Sequence, residues 1–435
     1  MSGGLQNAAN IPELRRRTVF TLLMLAVYRV GVQIPTPGIN GQALAEFFAK
    51  QGGTLFGMFN MFSGGALQKF SIFSLGIMPY ISASIIFQLL TVVIPQLETL
   101  SKEGEAGRHK ITQYTRYATV GLSVIQALFI SIGLEKMTAP GGQMIVIDPG
   151  WGFRLMTVFT LTSGTAFIMW LGEQMTERGI GNGISLIIFA GIVARMPSAI
   201  ANTFKMMSAG QISFIFLPIL VAMMAAVIGI VIYFETAQRR IPIQYAKRVV
   251  GRRMYGGQRS HLPLKINMSG VIPPIFASSI MMFPATIGTF IRVDWVQRAA
   301  SYLQWGTPLH TFLYVVLIVF FCFFYTAVTF NPTDVAENLK KHGGFVPGIR
   351  PGKKTAEFID RIMVRLTVIG AIYISVVCVL PQILISRYNV PFYFGGTALL
   401  IVVGVALDTI AQMESHLVMR NYEGFLKTGK IKGRR

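Results

Sequence analysis

Between Ala237 and Met268 lie Arg239, Arg240, Lys247, Arg248, Arg252, Arg253, Arg259 and Lys265, with no acidic residue among them. Uncompensated cations interleaved with Tyr245 and Tyr255 suit a phosphate backbone or an acidic protein surface. A second basic candidate sits in Phe345 to Thr355, FVPGIRPGKKT, where Pro347, Gly348, Pro351 and Gly352 fix a turn around Arg350, with Lys353 and Lys354 following. A planar guanidinium on a stiff tip fits a bidentate contact to carboxylate or phosphate. Catalytic chemistry has no such signature. The patterns GxxxxGK[ST], HExxH and GxSxG do not occur, and His109, His261, His310, His342 and His416 lack metal-ligand spacing. The glycines of GIGNG, Gly179 to Gly183, lack the strand-turn-helix context of a phosphate loop. Cys322 and Cys378 sit singly in apolar runs, so neither a disulfide framework nor a metal site is expected. No enzymatic activity and no cofactor are expected.

The remaining candidates are apolar or weakly polar. Ile81 and Ile85 are four apart, as are Ile188 and Ile192, which puts each pair on one helix face. With Ile275 and Ile401 they either ring a path or pack as ordinary membrane aliphatics. Ser82, Ser84 and Gln88 beside the first pair, and Ser278 and Ser279 near Ile275, read as hydrogen-bonding glue between helices.

The elements that must position these residues are membrane spans. Charged residues make up 13% of the 435, too few to coat a soluble surface, while 52% are hydrophobic. Ten apolar windows have the roughly 20-residue length that crosses a bilayer, at about 18–34, 74–95, 112–134, 151–172, 183–204, 211–235, 269–291, 307–330, 363–386 and 392–415. The first follows a polar start directly and reads as a retained anchor. Numbering the flanks alternately puts 27 Lys and Arg on one side and 7 on the other, so both termini and the long loops 237–268 and 331–362 are expected to be cytoplasmic. Part of the net charge of +21 is therefore topological. Ten spans divide into inverted halves of five, giving a cytoplasmic segment 1–17, halves 18–204 and 205–415, and a basic tail 416–435. Loops 237–268 and 331–362 are expected to build one protrusion. Gln51 to Phe70, QGGTLFGMFNMFSGGALQKF, is apolar but broken by five glycines. It reads as a re-entrant piece beside a watery cavity or as an amphipathic loop on the surface. An inverted-repeat secondary transporter of a small solute shares this layout, but Asp408 near the end of the last span is thin support for ion coupling.

Four stretches carry a resemblance: GALQKFSIFSLGIMPYISASII (65–86), MWLGEQMTERGIGNGISLIIFAGI (169–192), FNPTDVAENLKKHGGFVPGIRPGKKT (330–355) and VPFYFGGTALLIVV (390–403). They resemble the SecY family of protein-translocase channel subunits, over nearly the whole chain. The resemblance implies an all-α integral membrane protein of the bacterial cytoplasmic membrane, with ten transmembrane helices in two inverted five-helix halves around a central pore. The expected function is to pass unfolded preproteins across the membrane and to release apolar segments sideways into lipid. By the same resemblance Ile81, Ile85, Ile188, Ile192, Ile275 and Ile401 would form the pore ring. A plug from about Phe56 to Phe70 would include Phe56, Gly57, Met58, Phe59, Asn60, Met61, Phe62, Ser63, Gly64 and Gly65. A lateral gate between spans 2 and 3 and spans 7 and 8 would involve Ser82, Ser84, Gln88, Ser278 and Ser279. Arg350 and the basic residues of both long loops would meet the SecA motor ATPase or the ribosome. SecE, SecG, preprotein signal sequences and membrane lipid complete the implied partners.

Overall fold

The computed structural model describes residues 11–50, 60, 63–135, 137, 143–210, 216–245, 248–250, 253–255, 259–290, 302, 307–388 and 396–428. Its helices are α1 (Pro12–Gly31), α2 (Gly41–Lys50), α3 (Met78–Val93), α4 (Pro95–Lys102), α5 (Glu105–Glu135), α6 (Trp151–Arg178), α7 (Gly183–Val193), α8 (Met196–Ser208) and α9 (Phe216–Thr236), followed by α10 (Ile272–Phe290), α11 (Pro308–Thr329), α12 (Pro332–Lys341), α13 (Lys353–Tyr388) and α14 (Gly396–Thr428). The starts follow local chemistry. Asn182 caps α7 by accepting from the N–H groups of Ile184 and Ser185 at 3.1 and 3.4 Å. Thr307 and Asn331 cap α11 and α12, each followed by a proline whose missing N–H costs nothing in the first turn.

Seven helical stretches among the described residues are long and apolar enough to cross a membrane: Glu105–Glu135, Trp151–Arg178, Gly183–Lys205, Pro218–Thr236, Pro308–Lys341, Lys353–Pro381 and Gly396–Leu417. An eighth is Met78–Val93 with Pro95–Lys102, if that pair, bent by 100°, is one span. The other two expected windows hold α1, whose twenty residues include Glu13, Arg15, Arg16, Arg17 and Arg29, and α10, a nineteen-residue apolar helix. Charge keeps the first below the apolarity of a plain span. A multi-pass helical membrane protein is what the described chain forms.

The chain divides into two compact units, one from Met1–Lys205, Pro284–Trp305 and Ile401–Arg435, the other from Met206–Phe283 and Gly306–Leu400. In the first, α5 packs on α6 and buries a stripe of its own at i, i+4 spacing: Thr115, Thr119, Ser123, Ala127 and Ser131 are all buried. Their hydroxyls donate back to carbonyls of their own helix, as Thr119 does to Thr115 O at 2.7 Å, so small side chains allow close approach without an orphaned donor. Charges pin both ends of this pair. Arg116 Nε donates to Glu173 Oε1 at 2.8 Å, and Arg154 grips Glu135 through Nε and Nη2 at distances down to 2.6 Å.

The second unit carries strands that a helical membrane composition does not announce. They are β1 (Gln238–Tyr245), β2 (Arg248–Val250), β3 (Arg253–Tyr255), β4 (Arg259–Lys265) and β5 (Gly344–Phe345). β1 pairs antiparallel with β4 and with β5, giving a sheet of order β4-β1-β5, while β2 and β3 make a small ribbon. Ile241 and Ile243 alternate inward on either side of exposed Pro242, and Ile241 packs with Leu264, Val346, Ile359, Met363 and Leu366.

Candidate functional site

The first candidate site lies in the first unit, where the glycine-rich segment meets the helix of Ile188 and Ile192. Of the expected plug residues, Asn60, Ser63, Gly64 and Gly65 are described; Phe56, Gly57, Met58, Phe59, Met61 and Phe62 lie outside the described residues. Asn60 and Ser63 are buried and close a compact turn. Gly65 N donates to Asn60 O at 2.8 Å, Gln68 N donates to Asn60 Oδ1 at 3.1 Å, and Ser63 Oγ donates to Asn60 O at 3.2 Å. Two side chains of α1 hold this turn from outside: Tyr28 Oη donates to Ser63 O at 3.3 Å and Arg29 Nη1 to Gly64 O at 3.1 Å. Gly64 has φ +65°, and a Cβ there would stand 2.8 Å from the Cα of Gly191. Gly191 is buried in α7, one residue before Ile192 and three after Ile188. The end of the segment is thus seated, glycine on glycine, on the helix turn that carries two of the expected ring residues.

All six expected ring residues are buried: Ile81 and Ile85 on α3, Ile188 and Ile192 on α7, Ile275 on α10 and Ile401 on α14. Ile275 belongs to the second unit and the other five to the first. The polar residues beside them depart from the glue expected between helices. Ser278 Oγ and Ser279 Oγ both donate to Ile275 O, at 2.9 and 2.8 Å, and Gln88 Nε2 donates to Ser84 Oγ at 3.4 Å. Ser82 is buried. A hydroxyl three or four residues after a carbonyl finds it within its own helix, so no neighbouring helix is needed.

The second candidate site is in the other unit. Loops 237–268 and 331–362 are joined there, because β5 of the later loop extends the hairpin of the earlier one and Ile349 packs against the shared apolar core. Arg239 and Arg240 stand exposed on β1, and Arg248, Arg253 and Arg259 occupy strand positions; Lys247 and Arg252 lie outside the described residues. At the tip, Gly348 and Gly352 adopt φ +80° and +100°, left-handed conformations open to glycine. Thr355 Oγ1 donates to Arg350 O at 3.0 Å. With Ile349 packed inward and the Arg350 backbone tied down, its side chain is exposed beside exposed Lys353 and Lys354. At the root, Asn267 Nδ2 donates to Glu235 Oε1 at 2.7 Å and to Gly270 O at 3.0 Å, while Asn267 Oδ1 accepts from Ser269 Oγ at 3.1 Å. This buried knot ties the end of β4 to the end of α9 and to the turn that opens α10.

Sequence reasoning passed over Tyr28, Arg29, Asn267 and Glu235, and it assigned GIGNG no role. In the fold, that loop offers its free N–H groups to distant side chains. Ile180 N donates to Thr21 Oγ1 at 3.1 Å, Gly181 N to Gln412 Oε1 at 2.9 Å and Gly183 N to Thr176 Oγ1 at 2.9 Å. Gly181 is left-handed at φ +87°, and a Cβ on Gly179 would lie 2.4 Å from Thr21 Oγ1. The usable signal was the glycine spacing, which indicates close backbone approach as readily as phosphate binding.

The SecY family model matches residues 71–410. A protein translocase subunit SecY of Escherichia coli (strain K12) is 54% identical over 425 residues, covering 97% of this chain and 96% of its own. Among solved structures, one describes the plug domain of the SecY protein as stabilising the closed state of the translocation channel and maintaining a membrane seal. It superposes with a TM-score of 0.66 at 18% identity, over 96% of this chain and 95% of that one. Sec61 in the canine ribosome-channel complex from the endoplasmic reticulum superposes with a TM-score of 0.59 at 17% identity, over the same shares. The chain belongs to the SecY family.

Proposed function

We propose that this chain is the protein-conducting subunit of a bacterial translocase, closed at rest by a ring of aliphatic side chains and a plug. The observation that carries this beyond family membership is the seat of Gly64 on Gly191, between Ile188 and Ile192. It supports a seal in which the plug root and the ring share one helix. A ring of Ile81, Ile85, Ile188, Ile192, Ile275 and Ile401 excludes water and ions by its apolarity and, being stiff at χ1, holds a narrow shape. It offers an unfolded chain no specific partner, which suits passage of many sequences. An apolar signal sequence gains about 25 cal/mol per Å² by leaving water between the gate helices that carry Ser82, Ser84, Gln88, Ser278 and Ser279, and this biases the channel open.

The joined protrusion, with Arg350 at its tip, is the docking surface for the ribosome and for SecA, alternately. SecE clamps the halves and SecG sits at the edge. The protein resides in the cytoplasmic membrane with both termini inside, on the asymmetry of 27 against 7 basic residues. Deletion of residues 58–66 tests the function directly. A reconstituted channel lacking them should leak ions at rest, and an unchanged resting conductance would remove the plug from this account.

A further inference from the structure

The loop GIGNG fastens two helices of the first unit at one point. Gly181 N donates to Gln412 Oε1 of α14 at 2.9 Å, and the next residue, Asn182, caps α7 through the N–H groups of Ile184 and Ser185. Ile180 packs with Leu14 of α1 and with Met413 and Leu417 of α14. Gly181 is hard to replace here, since its φ is +87° and a Cβ would stand 2.9 Å from Leu186 Cδ1 and 3.2 Å from Thr409 Oγ1. The clasp is also a common origin for the two helices. Ile401 lies eleven residues before Gln412, about three turns plus about 20°, so both occupy one face of α14 about 16–17 Å apart. Ile188 and Ile192 lie seven and eleven residues after Gly181, and with α7 starting at Gly183 their distances from the clasp are about 10–14 and about 16–20 Å. The level of Ile401 falls between theirs. All three side chains are buried.

We propose that Gln412 is a positioning residue for the pore ring: by accepting the Gly181 N–H it sets the register of α14 against α7 that brings Ile401 level with Ile188 and Ile192. The proposal rests on those three residues lining the pore, and on α7 and α14 running in opposite directions as the fifth and tenth windows of an alternating chain do. Apolar packing between helices is non-directional and by itself lets one slide on the other. A slip of one residue would shift Ile401 by about 1.5 Å and turn it by about 100°, out of the ring. A directional hydrogen bond at 2.9 Å resists that slip. Only the side-chain carbonyl oxygen of Gln412 enters the contact, so glutamate can replace it and leucine, of similar size, cannot.

The test uses the full-length chain with its partner subunits in planar bilayers, at matched amounts, read as resting ion conductance. Gln412→Leu should raise it about fivefold, the shift in population that one lost hydrogen bond allows, and Gln412→Glu should keep it at the parent level. Unchanged conductance in Gln412→Leu, or an equal rise in Gln412→Glu, overturns the proposal. A cycle with Ile401→Ala separates positioning from general stability. In the Ile401→Ala background Gln412→Leu should add little, because the side chain it places is gone, whereas a merely structural loss adds in full. Full additivity overturns the proposal. If Ile401→Ala alone leaves conductance unmoved, Ile401 is no part of the seal and this proposal falls with it. If Ile401→Ala leaks and Gln412→Leu does not, only the clasp is lost. A second measurement leaves Gln412 unaltered. With Cys322→Ser and Cys378→Ser as background, oxidation by copper phenanthroline should join Ile192→Cys to Ile401→Cys in higher yield than to Thr397→Cys or Asp408→Cys, and equal yields overturn the proposal.

Discussion

At Gly64 a left-handed backbone and a backbone neighbour act on the same atom. The φ of +65° costs a residue with Cβ about 1–2 kcal/mol, and that Cβ would have to displace the Gly191 Cα at 2.8 Å. Gly64→Val should therefore unseat the plug root, visible as raised resting conductance in planar bilayers, while an unchanged leak would show that the seat does not hold the plug. Arg350 poses the opposite case, since its backbone is fixed by Thr355 and its flanking glycines while its side chain stands in water. Orientation by charge alone would leave Arg350→Lys silent. A bidentate contact makes Lys a partial loss and Arg350→Glu a severe one, because an ammonium cannot reproduce the planar fork. SecA-driven preprotein import into vesicles distinguishes the two, and full activity of both variants would remove Arg350 from the docking surface.

The protrusion is the element whose integrity the sequence pattern understated. Its sheet is only three strands, one of them two residues long, and isolated ribbons of that size are marginal in water. Packing against α13 through Ile359, Met363 and Leu366 supplies the missing support, and Asn267 fixes the root. Asn267→Ala removes the hydrogen bond that Glu235 Oε1 accepts at the root, a loss of about 1–3 kcal/mol. The β1–β4 hairpin should then show faster amide hydrogen exchange in the detergent-solubilised protein. Exchange as slow as in the parent would mean that the apolar core alone holds the protrusion in place.

For the molecule as a whole, membrane sealing and partner docking are separable properties and should fail separately. Ile85→Asn and Ile192→Asn each put an amide where a dry aliphatic surface is expected, so both should raise ion leak in bilayers while leaving partner binding intact. Unchanged leak in both would count against a gating ring. Ribosome binding should fall steeply with salt, with a slope of about −0.7 to −0.9 in log–log form for each phosphate neutralised. Binding that stays flat between low and moderate ionic strength would exclude a phosphate-directed contact by the eight cations of loop 237–268.

Hydropathy and the Lys/Arg bias determined from the sequence alone that the chain is a multi-pass helical membrane protein. Span length and loop charge are set residue by residue against the bilayer, with no need for long-range contacts. The stiff tip at Arg350 was legible for the same reason, because Pro and Gly act on the backbone locally. What only the tertiary structure decided came from pairings between distant segments. Arg29 reads as a charge in a span until Gly64 O appears beside it, and GIGNG reads as a weak motif until Thr21 and Gln412 meet its N–H groups. The strands of loop 237–268 were hidden beneath their cations, since their inward alternation spans only Ile241, Ile243, Leu262 and Leu264 and gains its partners from β5 and α13. Buried backbone groups must be satisfied somewhere, and where they find their partners is a property of the fold, not of any local stretch of the chain.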